Sequence, residues 1–523
     1  MNLTRALGSV GGLTLASRVL GLVRDSLFAR FVGAGFASDA FLIAFRLPNM
    51  FRALFAEGAF SAVFVPMFNH KVAAKDGRGL PDGIRFAEDA LSVLLPVLIV
   101  LLAILEVAAW PLTWALSGGF NDRGEADFAF AVMLSRFTLP YLLLISLVSL
   151  LGGILNSLNK FWVNAAAPIL LNATLIAALL LFHDANPLLT ARNQAIAVTV
   201  SGALQLAWLW WACRRAGISL KLRRPQISPD VKKLLKLIWP AAAGSSAVQI
   251  NLVVSTALAA TLLPAGSVSY IYFADRLNQL PLGLIGIGLG TVLLPTISRQ
   301  LGGGDEAGAM ATQNRGLELA LLLTLPATVA LIVCGVPIVA ALFQGGRFTA
   351  SDSLFTAQAL AAFSIGLPSY ILVKVLTPGF YARSDTRTPV RFATISMLVN
   401  LIGNLLLIPT IGHIGPPLAT ALASTVNVVL LYAGLRKRGH FAPDAQLKRR
   451  IPRAALAALL MGAAMWFGNA LFQPYVTGTA VERWGAMLLL VTSGGLIYAL
   501  AVLLTGAFRP AEVRQLLRRS PKA

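Results

Sequence analysis

The chain has 523 residues, of which 57% are hydrophobic and only 12% are charged, against ~25% charged residues in soluble proteins. These proportions exclude an assembly of soluble domains and indicate an integral membrane protein. Because a helix needs ~20 residues to cross the hydrocarbon layer, the composition allows about fourteen crossings and leaves no room for a sizeable appended domain such as an ATPase. Two cysteines in different apolar segments and four scattered histidines argue against a disulfide framework or a metal site.

Apolar runs separated by polar stretches predict fourteen transmembrane helices. In chain order they are expected near residues 5–32, 37–68, 87–116, 128–157, 161–183, 193–213, 231–263, 267–298, 314–343, 353–382, 389–410, 415–435, 451–472 and 484–507. Ser17, Arg18 and Arg24 interrupt the first apolar run, and no convincing cleavage site follows, so we expect the first span to stay uncleaved. An even number of spans places both termini on one side of the membrane.

The net charge of +21 could indicate a nucleic-acid-binding protein, but the distribution of the cations favours membrane topology. Lys and Arg are concentrated in alternate connections, above all in 214–236, 436–453 and the C-terminal tail. The opposite side has five: Arg30, Arg123, Arg192, Arg347 and Arg483. The positive-inside rule therefore predicts that both termini are cytoplasmic. A membrane-surface role for the two basic loops is the alternative explanation.

The chain contains a weak internal repeat of six spans. Residues 44–49 of the second span resemble residues 274–279 of the eighth, and Asn172 corresponds to Asn400 at an offset of 228 residues. Since six is even, the two copies share one orientation, an arrangement that places the substrate of a transporter between its halves. We predict three regions: an N-terminal lobe at 1–220, a C-terminal lobe at 221–440, and two additional helices with a basic cytoplasmic tail at 441–523.

Cations inside the predicted spans are the main functional signal. They are Arg18, Arg24, Arg46, Arg52, Arg136, Arg276 and Lys374. Each costs ~2.5 to 3.5 kcal/mol at the membrane centre, so such residues face protein or water and generally serve a function. Guanidinium groups bind phosphate bidentately, so arginines converging from the first, second and eighth spans predict a cavity for a phosphate or pyrophosphate. The alternative is structural: pairing with acids or carbonyls, or snorkelling to headgroups.

Four acids lie near these cations and are too few to neutralise them all: Asp25, Asp39, Glu57 and Asp275. Helical spacing places Asn49 and Arg52 on one face of the second span, and Arg276 and Gln279 on one face of the eighth. Arg18 and Asp25 are seven residues apart, so we expect them to form an ion pair or share a cavity wall. Arg24 is then expected to point elsewhere as the freer cation.

Several motifs closely resemble the lipid II flippases of the MurJ or MviN family. They are SRVLGLVRD at 17–25, DAF at 39–41, FRLPN at 45–49, FAEGAF at 55–60, QIN at 249–251, ADRL at 274–277, LPLG at 280–283, KVL at 374–376 and PGFY at 378–381. The resemblance covers essentially the whole chain. It implies an all-α polytopic membrane protein in which two six-helix lobes surround a central cavity and two extra C-terminal helices form a groove for a polyprenyl tail.

The resemblance further implies transport, without enzymatic activity, of undecaprenyl-pyrophosphate-linked peptidoglycan precursor from the cytoplasmic to the periplasmic leaflet of the bacterial inner membrane. With the helical spacing, it gives the candidate substrate-binding residues Arg18, Arg24, Arg52, Arg276, Asn49, Asp39 and Ser17. The candidate supporting residues are Asp25, Glu57, Asp275, Gln279 and Lys374. The expected partners are lipid II and membrane lipids, with a cell-wall synthesis complex as a further candidate and no nucleic acid.

We expect alternating access driven by the membrane potential, because each negative charge moved outward gains ~2.3 kcal/mol per 100 mV. No cofactor is expected. Some relatives have a sodium site built on acids of the seventh, eleventh and twelfth spans, but these spans contain no acid here, so the coupling ion stays open. Alternative functions are an exporter of another lipid-linked oligosaccharide or of a cationic drug, and a membrane-embedded glycosyltransferase. The external acids Asp122, Glu125 and Asp127 are interpreted as a solvated loop.

Overall fold

A computed structural model describes residues 3–56, 59–73, 79–120 and 124–507, without the side chains of 3–10, 54–56, 59, 239–248, 250, 287 and 291. Over these residues the protein is helical, and its one β element is an isolated bridge between Gly345 and Phe348. The α-helices are α1 (Leu3–Val32), α2 (Phe36–Ala56), α3 (Ala59–Ala73), α4 (Gly79–Val107), α5 (Ala109–Ser117), α6 (Glu125–Thr138), α7 (Pro140–Ser157), α8 (Phe161–Leu181), α9 (Pro187–Arg215), α10 (Pro229–Leu262), α11 (Ser267–Gly302), α12 (Glu306–Val333), α13 (Gly335–Phe343), α14 (Ala350–Tyr381), α15 (Arg387–Ile411), α16 (Gly415–Lys437), α17 (Ala445–Val476) and α18 (Ala480–Leu504).

Each predicted span overlaps one of these helices or two consecutive ones. Within the described residues, ten helices or unbroken helical runs are long and apolar enough to cross a membrane. One of these runs, Arg387–Lys437, has 51 residues and contains both α15 and α16. The predicted all-α membrane class is therefore confirmed.

Proline explains two places where a predicted span becomes two helices. Pro111 and Pro337 each stand four residues after the last residue of a helix, Val107 of α4 and Val333 of α12. A proline has no N–H to donate to the carbonyl four residues earlier, and its ring clashes with that carbonyl. Both breaks are separated by the same offset of 226 residues, which agrees with the internal repeat.

The chain divides into two compact units, Met1–Ser269 and Tyr270–Ala523. In the first unit α1 packs along α8, α7 and α8 pack on α9, and α3 packs on α4. The centre of this unit is aromatic: the ring of Phe64 lies 5.2 Å from that of Phe60 and 5.5 Å from that of Phe86. A Cβ added to Gly153 of α7 would come within 3.0 Å of Phe64, so the glycine allows α7 to approach α3 closely.

Helix α10 packs with the first unit, against α2, α3 and α5, although the repeat assigns it to the second copy. The lobes 1–220, 221–440 and 441–523 describe the repeat and stay a prediction. Helix α11 begins at Ser267, at the division between the two units.

In the second unit α14 packs between α12 and α16, and α15 packs on α16. Their shared core contains Leu293, Val375, Phe380, Leu435 and Phe441. The two C-terminal helices pack against each other and against α12 and α13. Small residues bring them close, as at Gly462, where an added Cβ would lie 2.5 Å from Val329. The outer faces of α17 and α18 are apolar and exposed, as expected for helices in contact with lipid.

Part of the charge of the two basic loops is used in ion pairs. Glu88 of α4 is buried, accepts a bond from Arg223 Nε at 2.6 Å and accepts another from the backbone N–H of Lys221 at 2.9 Å. In the second unit, Glu318 of α12 binds both Arg315 and Arg450. These loops therefore have structural roles as well as the topological role predicted for them.

Candidate functional site

The predicted site residues lie on four helices. Helix α1 contains Ser17, Arg18, Arg24 and Asp25; α2 contains Asp39, Asn49 and Arg52; α11 contains Asp275, Arg276 and Gln279; and α14 contains Lys374. Glu57 lies outside the described residues. The residues of α1 and α2 belong to the first unit, and those of α11 and α14 belong to the second.

Arg24 and Asp25 form a buried ion pair in α1. Arg24 donates to Oδ1 of Asp25 from Nη2 at 2.6 Å and from Nε at 3.0 Å, and the two residues are 9% and 3% exposed. The prediction that Arg18 would pair with Asp25 while Arg24 remained the freer cation is wrong. Side chains of an α-helix lean toward its N-terminus, so Arg18, two turns before Asp25, leans away from it.

Asn172 of α8 is a second partner of Arg24, and the sequence analysis did not select it. Its Oδ1 accepts a bond from Arg24 Nη1 at 3.1 Å, and its Nδ2 donates to the backbone carbonyl of Ser17 at 3.0 Å. The one sequence signal for Asn172 was its place in the repeat, which gave no partner. Ser17 thus takes part through its peptide group.

Arg18 has a different environment. Its side chain is exposed on α1, near the exposed Leu15 and Val19. Within the part of the chain that the structure describes, Arg18 forms no hydrogen bond or ion pair. A single helix therefore has two kinds of arginine, one anchored by a carboxylate and an amide and one extended from the surface.

Proline also shapes α2, which contains the next group of polar residues. Pro48 cannot donate to the carbonyl of Ala44, and the Thr138 hydroxyl donates to that carbonyl instead at 2.8 Å. One turn later, Arg52 Nε donates to Asn49 Oδ1 at 3.0 Å, as their spacing predicts. Arg46 has a structural contact, because its Nη2 donates to the carbonyl of Leu252 in α10 at 2.9 Å.

Asp39 lies at the start of α2 and caps the start of another helix. Its carboxylate accepts bonds from the N–H of Gly266 at 2.6 Å, from the N–H of Ser269 at 2.9 Å and from the Ser269 hydroxyl at 2.5 Å. A carboxylate at a helix N-terminus satisfies unpaired N–H groups and interacts favourably with the helix dipole. These contacts make Asp39 a link between α2 and the turn before α11.

In the second unit, α11 has a polar face with the predicted spacing. Arg276 Nη2 donates to the Tyr272 hydroxyl at 3.0 Å, and its guanidinium lies 5.0 Å from the centre of the Tyr272 ring. Gln279 donates to Asp275, four residues earlier. The i, i+4 spacing thus brings each pair together, and Tyr272 orients Arg276.

Lys374 of α14 is placed against α11 in the same unit. A Cβ added to Gly286 would lie 3.0 Å from Lys374 Cδ, so the lysine stem lies over this glycine while the residue as a whole stays exposed. Gly286 is ten residues after Arg276, or about 15 Å along a helix with a rise of ~1.5 Å per residue. The exposed Arg136 lies on α6 of the first unit.

Within the described residues, no three His, Cys, Asp or Glu side chains are grouped as metal ligands would be. Asn400 and Asn404 of α15 bond to each other at 2.9 Å, and Asn400 donates to Thr420 of α16 at 3.1 Å. The chemistry of the candidate site is therefore that of arginines, each held by a neighbouring carboxylate, amide or aromatic ring.

This helical fold defines a polytopic membrane transporter. A solved multidrug resistance MATE family transporter of the MOP superfamily, in an inward-facing conformation, has the same fold, with a TM-score of 0.64 and 17% identity over 80% of this chain and 94% of that chain. A solved "Lipid II flippase MurJ, inward closed conformation" matches with a TM-score of 0.77 and 25% identity over 97% of this chain and 99% of that chain.

The sequence comparisons specify the family. The family model described as "Lipid II flippase MurJ" matches residues 28–484. A "Probable lipid II flippase MurJ" of Rhizobium tropici is 38% identical, over 100% of this chain and 98% of the relative. A "Lipid II flippase MurJ" of Burkholderia cenocepacia is also 38% identical, over 89% of this chain and 90% of the relative. The chain belongs to the lipid II flippase MurJ family.

Proposed function

We propose that this protein is a lipid II flippase that moves undecaprenyl-pyrophosphate-linked peptidoglycan precursor from the cytoplasmic to the periplasmic leaflet. The observation that carries the proposal is the match to MurJ proteins along nearly the whole chain, at 38% identity to relatives of the same length. The buried arginine of α1 and the ring-supported arginine of α11 supply the chemistry that a pyrophosphate needs. The activity is transport, and no bond of the substrate is made or broken.

The proposed layout has fourteen spans, of which twelve form two six-helix lobes and the last two are α17 and α18. The equal offset of the proline breaks after Val107 and Val333 supports the two-lobe repeat. The proposed location is the bacterial inner membrane with both termini in the cytoplasm, supported by the concentration of Lys and Arg in alternate loops. An apolar groove at α17 and α18 for the lipid tail is supported by their exposed apolar faces.

The proposed substrate-binding residues are Arg18, Arg24, Arg52 and Arg276, with Ser17, Asn49 and Asp39 beside them. Asp25, Glu57, Asp275, Gln279 and Lys374 have supporting roles. A guanidinium presents its N–H groups in one plane and so matches two oxygens of a phosphate at once. Pre-set hydrogen bonds to Arg24 and Arg276 reduce the ordering needed when the headgroup arrives.

Transport by alternating access is supported by the fold shared with MurJ and MATE proteins. The membrane potential is the proposed energy source, because the negative headgroup moves toward the positive outside. A pyrophosphate moved outward gains free energy, and a cavity rich in arginine is drawn back toward the negative interior once it is empty. The coupling ion is left open, and the cell-wall synthesis enzymes are proposed partners.

The test is depletion of the protein in its own cell, followed by measurement of lipid II in each leaflet. The expected result is accumulation on the cytoplasmic side, reversed by the wild-type chain but not by Arg24→Ala or Arg276→Ala. Arg136→Ala is the matched control, because Arg136 is an exposed arginine of α6 outside the proposed set. Normal lipid II distribution after depletion, with another lipid-linked oligosaccharide retained inside, would instead identify that lipid as the substrate.

A further inference from the structure

Asn172 bridges two points of α1 from the neighbouring helix α8. The residue is 6% exposed; its carbonyl oxygen accepts from Arg24 Nη1 at 3.1 Å and its amide nitrogen donates to the Ser17 carbonyl at 3.0 Å. Ser17 and Arg24 are seven residues apart and so share a face of α1. Because both ends of the carboxamide are used, one orientation of the amide satisfies both partners.

The guanidinium of Arg24 is thus gripped from two sides. Asp25 holds Nε and Nη2, and Asn172 holds Nη1. The two partners differ in charge: Asp25 offsets the positive charge of Arg24, whereas Asn172 orients the group and leaves its charge unchanged. An arginine side chain has many rotamers, so a guanidinium fixed before binding loses less conformational freedom when it meets an anion.

We propose that Asn172 is a positioning residue that holds the Arg24 guanidinium ready for the pyrophosphate of the lipid-linked precursor. The inference rests on the proposed function, since it assigns to Asn172 a role in that same site. Asn172 acts through Arg24 and not by direct contact with the substrate. Its removal therefore lowers precursor affinity only while Arg24 is present.

The repeat supplies a matched control. Asn400 of α15 corresponds to Asn172, is equally buried, and bonds to Thr420 and Asn404. Replacing Asn400 with leucine removes a buried asparagine with the same shape and a similar number of hydrogen bonds, but one whose bonds are to Thr and Asn. Any loss caused simply by burying leucine in place of asparagine appears in both variants.

The experiment measures lipid II affinity of the purified full-length protein in lipid nanodiscs for the wild type, N172L, R24A, the double variant N172L/R24A, and N400L. Thermal stability is recorded in parallel. N172L is expected to bind lipid II about tenfold more weakly, the scale of one lost bond to a charged group. The double variant is expected to bind within about twofold of R24A, and N400L within about twofold of the wild type.

Two further variants keep the test decisive. If N172L does not accumulate in the membrane, N172A replaces it, and the same cycle is measured. N172D still accepts a bond from Arg24 but adds a second carboxylate, so it is expected to weaken binding at least as much as N172L. Wild-type affinity in N172D would contradict the proposal, because charge at this position would then not affect the anion.

The outcomes separate the proposal from the function on which it rests. An equal loss in N172L on the wild-type and R24A backgrounds would overturn it, since Asn172 would then act independently of Arg24. Wild-type affinity in R24A would overturn it together with the role of Arg24, while leaving a lipid II-binding protein. Absence of lipid II binding by the wild-type protein would count against the flippase function itself.

Discussion

Replacement of Glu318 with leucine tests what holds the two C-terminal helices to the rest of the second unit. The Glu318 side chain of α12 is 4% exposed and accepts bonds from Arg315 on its own helix and from Arg450 near the start of α17. Arg315 also binds Asp444, the residue that caps α17. Two acids and two arginines thus form a neutral cluster that joins α12 to α17.

The expected cost follows from the exposure of each partner. Removing one member of a fully buried ion pair costs ~3–5 kcal/mol, but the Arg315 side chain is 35% exposed and keeps its bond to Asp444. Arg450, with a 14% exposed side chain, loses the larger share. We therefore expect Glu318→Leu to destabilise the protein by about 3 kcal/mol, the low end of that range, with the loss concentrated where α17 meets α12.

Thermal unfolding in detergent and hydrogen exchange of peptides from α17 are the measurements. Glu306→Leu is the matched control, since Glu306 also lies on α12 and pairs with an arginine, Arg383, but has a 61% exposed side chain. An exposed pair contributes ~0–1 kcal/mol. If the two variants unfolded at the same temperature, or if exchange rose equally along the whole chain, the reasoning about burial would be refuted.

Three further predictions concern other contacts. Hydrogen bonds from the Arg438 side chain and then from Thr388 lower the pKa of Asp385 from its ordinary 3.8; its contribution to stability is therefore present above about pH 4 and is lost as the pH falls further, and Asp385→Asn should show a shallower loss of thermal stability between pH 5 and pH 3. Asp39→Ala removes the cap on the turn at 266–269 and should cost about 1–2 kcal/mol in thermal unfolding. Tyr272→Leu removes both the ring and the hydroxyl beside Arg276 and should weaken lipid II binding up to about tenfold, whereas Tyr272→Phe keeps the ring and should lose less.

Each of these has its own control. A steep acid transition retained in Asp385→Asn would show that other carboxylates dominate. Ser269→Ala removes one of the bonds to Asp39 and should cost less than Asp39→Ala; an equal or greater cost would contradict the capping account. Equal binding by the phenylalanine and leucine variants of Tyr272 would show that the ring does not support Arg276.

The local sequence was enough to predict the helices. Apolar runs between polar loops gave segments that overlap every helix from α1 to α18, because the length of a membrane helix is set by a fixed hydrocarbon thickness. Pairs within one helix were also predictable: Asn49 with Arg52 and Arg276 near Gln279 follow from the helical repeat alone. The breaks at Pro111 and Pro337 are likewise local, although the spans were predicted as continuous.

Sequence by itself therefore determined the class of protein, its helical segments and the cations on which function depends. Only the tertiary structure decided which partner each cation has: Asn172 binds Arg24 across 148 residues, Leu252 binds Arg46 across 206, and Asp39 caps a turn 227 residues away. The physical reason is that spacing along a helix fixes which side chains share a face, but not what that face meets. The rotation of each helix against its neighbours is set by packing, and packing placed Asp25 and Asn172 around the arginine that sequence spacing had left without a partner.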